Sequence, residues 1–283
     1  MNDKKLKSNE ELRKNFGVIF LSLNDILLIS SEPSVKREFL DRFLIIYSVD
    51  YYNNLANYRK TLFNKNKFLY NLKINKNVDY EILEVINDNI VNYSTILSLN
   101  RIKVLYEIKK IIYDYLNIFL PNFDFNFVYY ISGIERIDLD KFEFDYDKFY
   151  IMVRDFYVEY IKRFREKELN YYRSIIGASK DNFEVLVKNR GLYLNVKVVF
   201  SFSQVNLFSI AMFLVLKKLM KQVLGYEPIL LLDEPFVYLD KNNVFKVISV
   251  LRDTSQVIFT TNNSELVHFI FDNFDSINLI KLK

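Results

Sequence analysis

Ile229-Leu230-Leu231-Leu232-Asp233-Glu234 is the stretch on which the fold turns. Four aliphatic residues in succession suit a strand buried on both faces, as in parallel sheets, and the two carboxylates mark where that strand leaves the core. In open parallel sheets, ligands bind in the crevice beyond this carboxyl end. A carboxylate there can hold the water shell of a divalent cation, and a neighbouring one can polarise an attacking water. Asp233 takes the first role in this reading and Glu234 the second. The plain alternative is a buried strand followed by an acidic turn.

Short strands and helices alternate on both sides of this one. Residues 183–187, a Lys188-Asn189-Arg190-Gly191 turn and residues 193–202 read as strand, turn and strand, ahead of a helix over 204–224. Strand 228–232 is followed by helix 242–251, strand 256–260, helix 264–271 and a last strand at 277–280. The alternation predicts a parallel or mixed sheet covered by helices. Further toward the N-terminus, residues 18–21 read as a buried strand, and Pro33 sits where proline is best tolerated, in the first turn of a helix running through residue 39. Tyr51, Leu55, Tyr58 and Leu62 form an apolar seam of alternating four and three spacing. So do Leu83, Ile86, Ile90, Tyr93 and Leu97, and again Leu105, Ile108, Ile112, Tyr115 and Phe119. Seams this short, separated by polar breaks such as 71–79, predict antiparallel helices packed in a compact lobe. A strand over 125–131 and a charged amphipathic helix over 146–172 complete the pass.

With 51% apolar residues in 283, and 21 Tyr and 26 Phe against five Gly and four Pro, the chain favours long regular elements over loops. It has no Cys, which excludes disulfides, thiolate zinc sites and a cysteine nucleophile and fits a cytoplasmic location. Its apolar runs fall short of the ~20 residues that cross a bilayer, so no membrane partner is expected. A formal charge of +4 permits nucleic-acid binding without arguing for it.

Pro235, Tyr238-Leu239-Asp240 and, one helix later, Gln256-Val257-Ile258-Phe259-Thr260-Thr261 follow the order of Walker B, D-loop and switch strand in ABC-type ATPases. Such sites are completed by a signature loop at the start of a helix, whose backbone N–H groups meet a phosphate. Ser203-Gln204-Val205-Asn206 occupies that place, with Val205 where close approach calls for Gly, so its side chain is expected to stand in the path of the phosphate. A plain serine N-cap on a core helix is the competing reading. The phosphate-cradling Gly-x-x-x-x-Gly-Lys-[Ser/Thr] loop is missing: none of Gly17, Gly133, Gly177, Gly191 and Gly225 is followed by Lys. The chain is expected to make no complete ATP site alone. The sole histidine, His268, reads as an ordinary helix residue.

Pro33-Ser34-Val35-Lys36-Arg37-Glu38-Phe39-Leu40-Asp41-Arg42 is similar, without gaps, to the RecF family's Pro-Ser-x-Arg-Arg-x-Phe-Leu-Asp-Arg segment. Tyr58-Arg59-Lys60-x-Leu62 resembles the next helix of that family, and Gly177-Ala178-Ser179-Lys180-Asp181-Asn182 a worn Gly-Pro-His-Arg-Asp-Asp. Ser203-Gln204 matches the start of its Ser-Gln-Gly-Gln-Gln-Arg signature; Asp233 and Asp240 match, and Glu234 replaces a second Asp. The resemblance implies an α/β fold with a large helical part: an incomplete, Walker B half of an ABC-type ATPase head with an inserted antiparallel helical lobe. Residues 1–30 would be a remnant of the N-terminal ATPase lobe, 31–172 the helical lobe, and 173–283 the C-terminal half.

The same resemblance implies ATP and Mg²⁺ as cofactors, with Asp233 on the metal, Ser203, Gln204, Asn206 and Asp240 at the nucleotide, and Glu234 catalytic. It implies DNA repair, recombination and replication within the SOS response: a dimer that clamps double-stranded DNA near gaps and helps load recombinase with RecO- and RecR-type partners. Duplex phosphates would meet Lys36, Arg37, Arg42, Arg59, Lys60 and Lys180. A P-loop-bearing segment, on a separate chain or preceding Met1, would have to complete the ATP site. Two other classes stay open, a relic interaction module without ATP chemistry and the nucleotide-binding subunit of a transporter, although the 33–42 string has no place in the latter.

Overall fold

The computed structural model describes residues 17–74, 79–252, 254, 256–273 and 278–280. In chain order the elements are β1 (Val18–Leu21), α1 (Pro33–Tyr47), α2 (Val49–Asn71), α3 (Tyr80–Phe119), β2 (Phe125–Ile131), β3 (Glu135–Asp138), α4 (Tyr146–Tyr171), β4 (Asn182–Asn189), β5 (Leu192–Asn195), α5 (Phe202–Leu224), β6 (Ile229–Leu232), α6 (Lys241–Leu251), β7 (Val257–Phe259) and α7 (Ser264–Asn273). Single helical turns lie at Leu23–Ile26, Leu28–Ser30, Ala178–Lys180 and Val196–Val199. The described residues form two compact units, one within Met1–Ser30, Ile111–Phe123 and Phe200–Lys283, the other within Ser31–Lys110 and Asp124–Val199. Among the described residues no helix is long and apolar enough to cross a membrane.

The first unit is built on a parallel sheet of order β1-β6-β7, in which Leu21 lies beside Leu232 and Leu232 beside Phe259. Strand side chains alternate between faces, so Ile19, Leu21, Leu230 and Leu232 turn into the core on the side of α5. Each such fully buried aliphatic side chain contributes roughly 1.5–3 kcal/mol relative to exposure. α5 is buried around almost its whole circumference from Val205 to Leu216, as an apolar helix must be. It starts in a capping box, where Ser201 N donates to Gln204 Oε1 (2.9 Å) and Gln204 N to Ser201 Oγ (3.4 Å). It ends at Gly225, whose φ of 75° is a left-handed conformation that glycine adopts without a Cβ clash.

The second unit packs helices with an antiparallel sheet of order β3-β2-β4-β5, where Tyr129 faces Phe183 across the central pair. Ser48 joins α1 to α2: its amide closes α1 on Leu44 O, and its hydroxyl accepts from Tyr51 N at 3.2 Å. The seam predicted on α2 turns inward, with Tyr51, Leu55 and Tyr58 buried and Leu62 half-buried.

Three expectations change. The seams at 83–97 and 105–119 belong to one 40-residue helix, α3. No Gly or Pro interrupts it, and the polar residues between the seams, Ser98 and Arg101, are buried in a hydrogen-bonded network instead of marking a break. The strand expected over 193–202 covers only Leu192–Asn195, because Lys197 N bonds Asn195 Oδ1 and the chain turns into a helical turn there. Finally, β4 pairs antiparallel with β2 on one side and β5 on the other in the second unit, and neither β4 nor β5 joins the parallel sheet. The strand expected at 277–280 lies partly outside the described residues, and 278–280 form no regular element.

Candidate functional site

The hydrogen-bond ladder of the parallel sheet runs one residue past β6 on both sides. Asp233 N donates to Leu21 O (2.9 Å) and Thr260 N to Leu232 O (3.0 Å), which sets Thr260 beside Asp233 at the carboxyl edge. Thr260 Oγ1 donates to Asp233 Oδ1 at 2.7 Å and accepts from Glu234 N at 3.0 Å. One hydroxyl therefore fixes both acidic positions. Glu234 has φ 49°, a left-handed conformation that costs a non-glycine residue on the order of 1 kcal/mol and turns the chain sharply away from the strand. Both carboxylates are half-buried, and among the described residues neither is ion-paired.

An acceptor-only carboxylate, oriented by Thr260 and without a neutralising cation, suits the water shell of Mg²⁺. The phosphates of a nucleotide find no matching cradle in this sequence, since none of its five glycines begins a Gly-x-x-x-x-Gly-Lys run. Among the described residues no cluster of three His, Asp or Glu could hold a metal by itself, so the edge offers one oriented carboxylate and no triphosphate cradle.

The signature-like residues are placed differently from the expectation. The cap of α5 is Ser201, two residues before Ser203, and Gln204 spends its side chain on that cap. Val205 is 2% exposed and points into the core, so it stands in no phosphate path. Asn206 is fully buried, and its Nδ2 donates to the carbonyls of Pro235 (3.0 Å) and Val237 (2.7 Å), clasping the loop that follows Asp233-Glu234. Its role is to shape that loop. Asp240 caps α6, accepting from Asn243 N at 2.8 Å. Ser203 is half-buried in the first turn of α5, and His268 is exposed on α7.

In the second unit the two family-like strings meet. Lys36 Nζ donates to Phe183 O (3.0 Å) and lies 5.5 Å from that ring, while Arg37 Nη1 donates to Asp181 O (2.6 Å). Asp181 has no exposed surface. Its carboxylate accepts from Ser98 Oγ (2.6 Å), Tyr129 OH (2.6 Å), Tyr157 OH (2.9 Å), Ser132 N (2.8 Å) and Arg101 Nη1 (3.2 Å). Burial disfavours the charge of Arg101, but Tyr51, Asp41, Tyr129 and Asp181 together outweigh it and hold the guanidinium above its ordinary value. Gly177 has φ 141°, and a Cβ there would come 2.6 Å from Tyr58 OH, so the glycine of the worn string is a steric requirement.

Of the six basic residues expected at DNA, Lys36 is buried and its charge is used internally, which removes it from any phosphate contact. Arg37 is committed in part to Asp181, and Arg42 is half-buried. Arg59, Lys60 and Lys180 are exposed. Thr260, Arg101 and Asp181 carried no role in the sequence reading. Arg101 had a signal: it continues the four-residue spacing of Leu97 and Leu105 and so belongs to the inward stripe of α3.

No family profile matches the chain. Among curated proteins it is similar to the DNA replication and repair protein RecF of Clostridium perfringens (strain 13 / Type A), 24% identical over 276 residues that cover 96% of this chain and 70% of that protein. It is 28% identical over 275 residues, at the same coverages, to RecF of Clostridium botulinum (strain Eklund 17B / Type B). Among solved structures, the recombination mediator protein RecF with ATP, of the RecFOR pathway, matches with a TM-score of 0.74 at 23% identity, over 93% of this chain and 67% of that one. The RecF-ATPrS structure matches with a TM-score of 0.74 at 22% identity, over 92% and 66%. This chain thus spans about two thirds of the solved chains' length. The mixed α/β architecture, an ABC-type ATPase head with an inserted, largely helical lobe, is the one that the sequence predicted. On the near-complete coverage of this chain by these relatives and on the shared fold, the chain is similar to RecF proteins over 96% of its length.

Proposed function

We propose that this chain is a cytoplasmic DNA-repair and recombination protein that binds double-stranded DNA near single-strand gaps and helps to load recombinase. Its partners in this reading are RecO- and RecR-type proteins and a second copy of the chain, within the SOS response. The relatives are DNA replication and repair proteins by name, and the solved ones belong to the RecFOR pathway. One observation carries the reading furthest: the strings behind the resemblance, 144 and 147 residues apart at their contacts, lock together through Lys36 and Arg37. A lobe built on those contacts leaves Arg59, Lys60 and Lys180 facing solvent, with Arg37 and Arg42 partly so, as phosphate contacts that position a duplex without reading its sequence.

In the same reading Asp233 would hold Mg²⁺ through water, and Glu234 would orient an attacking water. The phosphates of ATP would rest on a P-loop that lies outside these 283 residues, and hydrolysis would need both. The chain's own residues supply the oriented acidic edge and its Thr260 clamp.

Titration of a labelled duplex at several salt concentrations tests the DNA reading. Binding independent of sequence is expected, with log K falling against log salt by about 0.9 per neutralised phosphate. No binding at low salt, or a flat salt dependence, would replace it with the interaction-module reading.

A further inference from the structure

Asp138-Leu139-Asp140-Lys141-Phe142-Glu143-Phe144-Asp145-Tyr146-Asp147 runs against the charge of the chain, with five carboxylates and one lysine in a protein of net charge +4. Phe142, Phe144 and Tyr146 alternate with the acids between β3 and the first turn of α4. Their rings rest on that turn, Phe142 edge-on to Phe149 at 6.2 Å, Phe144 stacked on Phe149 at 5.2 Å and Tyr146 stacked on Tyr150 at 6.5 Å. Phe142 and Tyr146 are nevertheless each 50% exposed. Three of the carboxylates have tasks inside the unit: Asp138 accepts from Asn126 Nδ2, Asp140 pairs with Lys109, and Asp145 caps α4. Glu143 and Asp147 are exposed, and among the described residues neither is ion-paired.

The outward side of α2 is the complement of that segment. At 100° per residue, Tyr52, Arg59, Lys60, Phe63, Lys67 and Tyr70 share an arc about 100° wide, turned away from the buried Tyr51, Leu55, Tyr58, Lys65 and Leu69. The rings of Phe63 and Tyr70 are 68% and 57% exposed, and Arg59, Lys60 and Lys67 face solvent with no ion pair among the described residues. Between Asp50 and Asp79 the sequence contains no acidic residue, so nothing on the helix opposes an anionic partner. The spacings agree as well. Phe142 and Tyr146, like Glu143 and Asp147, are four residues apart, at most about 14 Å of chain. Phe63 and Tyr70, like Lys60 and Lys67, lie about 10 Å apart along the helix axis. Two carboxylates therefore reach two ammonium groups in the register that sets two rings against two rings. Lysines beside aromatic faces add cation–π attraction. Both surfaces face solvent within one molecule, so they meet only between molecules.

We propose that residues 142–147 of one copy of this chain dock on the outward side of α2 of a second copy. Glu143 and Asp147 meet Lys60 and Lys67, and the rings of Phe142 and Tyr146 lie against those of Phe63 and Tyr70. The occupant is a second copy because one sequence carries both halves of the match. The contact joins two different surfaces, so it builds a closed ring or an open chain of copies according to the rotation it imposes. It needs no nucleotide and rests on neither the duplex nor the ATP reading. Because it covers Arg59 and Lys60, it competes with any polyanion for them.

Sedimentation velocity of the full chain at about 100 μM, where a contact of micromolar strength is populated, should show species larger than the monomer at low salt. They should dissociate as salt rises to about 1 M, where the screening length falls to about 3 Å. Two variants, changed only at exposed positions, divide the contact: Lys60→Glu/Lys67→Glu reverses one face and Glu143→Lys/Asp147→Lys the other. Each alone should be monomeric at low salt, with the circular dichroism of the wild type. Their equimolar mixture should associate again, because each variant then meets opposite charge on the other. A wild type that is monomeric at low salt overturns the proposal, and so does a mixture of folded variants that stays monomeric. Association that either variant keeps unchanged would belong to another surface and overturns it too. Failure of the duplex titration leaves this contact untouched, since no nucleic acid enters the measurement.

Discussion

Arg101 grips Asp41 with two nitrogens, Nε 2.9 Å from Oδ1 and Nη2 3.0 Å from Oδ2, where both side chains are almost completely buried. A two-point pair in that setting is costly to break from one side, because the surviving carboxylates, Asp41 and Asp181, are left without a counter-charge. Arg101→Met should therefore lose about 3–5 kcal/mol of stability. Arg101→Lys should lose less, since it keeps the charge but not the planar fork. Urea unfolding at neutral pH gives both numbers, and a loss under about 1 kcal/mol for Arg101→Met would contradict the buried pairing.

Lys36 makes stability depend on pH in an unusual direction. Burial is the largest cause and pulls its ammonium down from 10.5 to about 8, so between pH 8 and 10.5 the unfolded chain binds the extra proton. Stability should then rise with pH above 8, by up to about 1.4 kcal/mol per unit. The buried Tyr129 and Tyr157, whose hydroxyls burial pushes up, reverse the trend only above about pH 10, where unfolded tyrosines ionise. Thermal melts of the wild type and Lys36→Met between pH 7 and 10 provide the comparison. The rise should shrink in the variant to what Lys65 contributes, whose ammonium burial also pulls down, and an equal rise in both would remove Lys36 as a source.

Val205→Gly now carries the opposite expectation from the one its place in the sequence suggested. With 2% exposure inside α5, the side chain obstructs no ligand. Its removal should cost roughly 2–4 kcal/mol, from about 1 for a helical glycine and about 1–3 for the lost burial. A melting temperature at or above that of the wild type would mean that Val205 is not packed as described.

Nucleotide affinity is the sharpest test of the acidic edge. The 283-residue chain alone should show no micromolar affinity for a labelled ATP analogue with Mg²⁺, because it brings no glycine cradle and no P-loop lysine. Fusion to the P-loop segment of a RecF-type protein should restore binding. In that fusion Glu234→Gln should abolish turnover while sparing affinity, and Thr260→Val should weaken Mg²⁺-dependent binding by loosening Asp233. Micromolar affinity in the unfused chain that disappears with Asp233→Asn would overturn this account.

Local pattern settled much of the fold in advance. The strands at 18–21 and 125–131 lie where the sequence set them, and β6 falls within a residue of its expected start, because runs of apolar residues between polar turns fix strands through nearest neighbours alone. The acidic edge was legible for the same reason. Its clamp was not: Thr260 reaches Asp233 through the register of β6 against β7, which depends on residues some 27 positions apart.

Charge was the other place where reading along the chain fell short. Lys36 shares the i, i+3, i+4, i+7 stripe of Phe39, Leu40 and Phe43, so its helical phase pointed inward, yet only the arrival of Phe183 O supplied the partner that makes burial tolerable. Arg59 and Lys60, of the same charge type, face water on the side of α2 away from its buried seam. The sequence alone determined which segments are helix or strand and that an acidic pair ends a buried strand, since those follow from local periodicity. Which polar side chains are structural and which are presented to a ligand was decided only by the tertiary structure, because a buried donor or charge is stable only where a distant segment brings the matching acceptor.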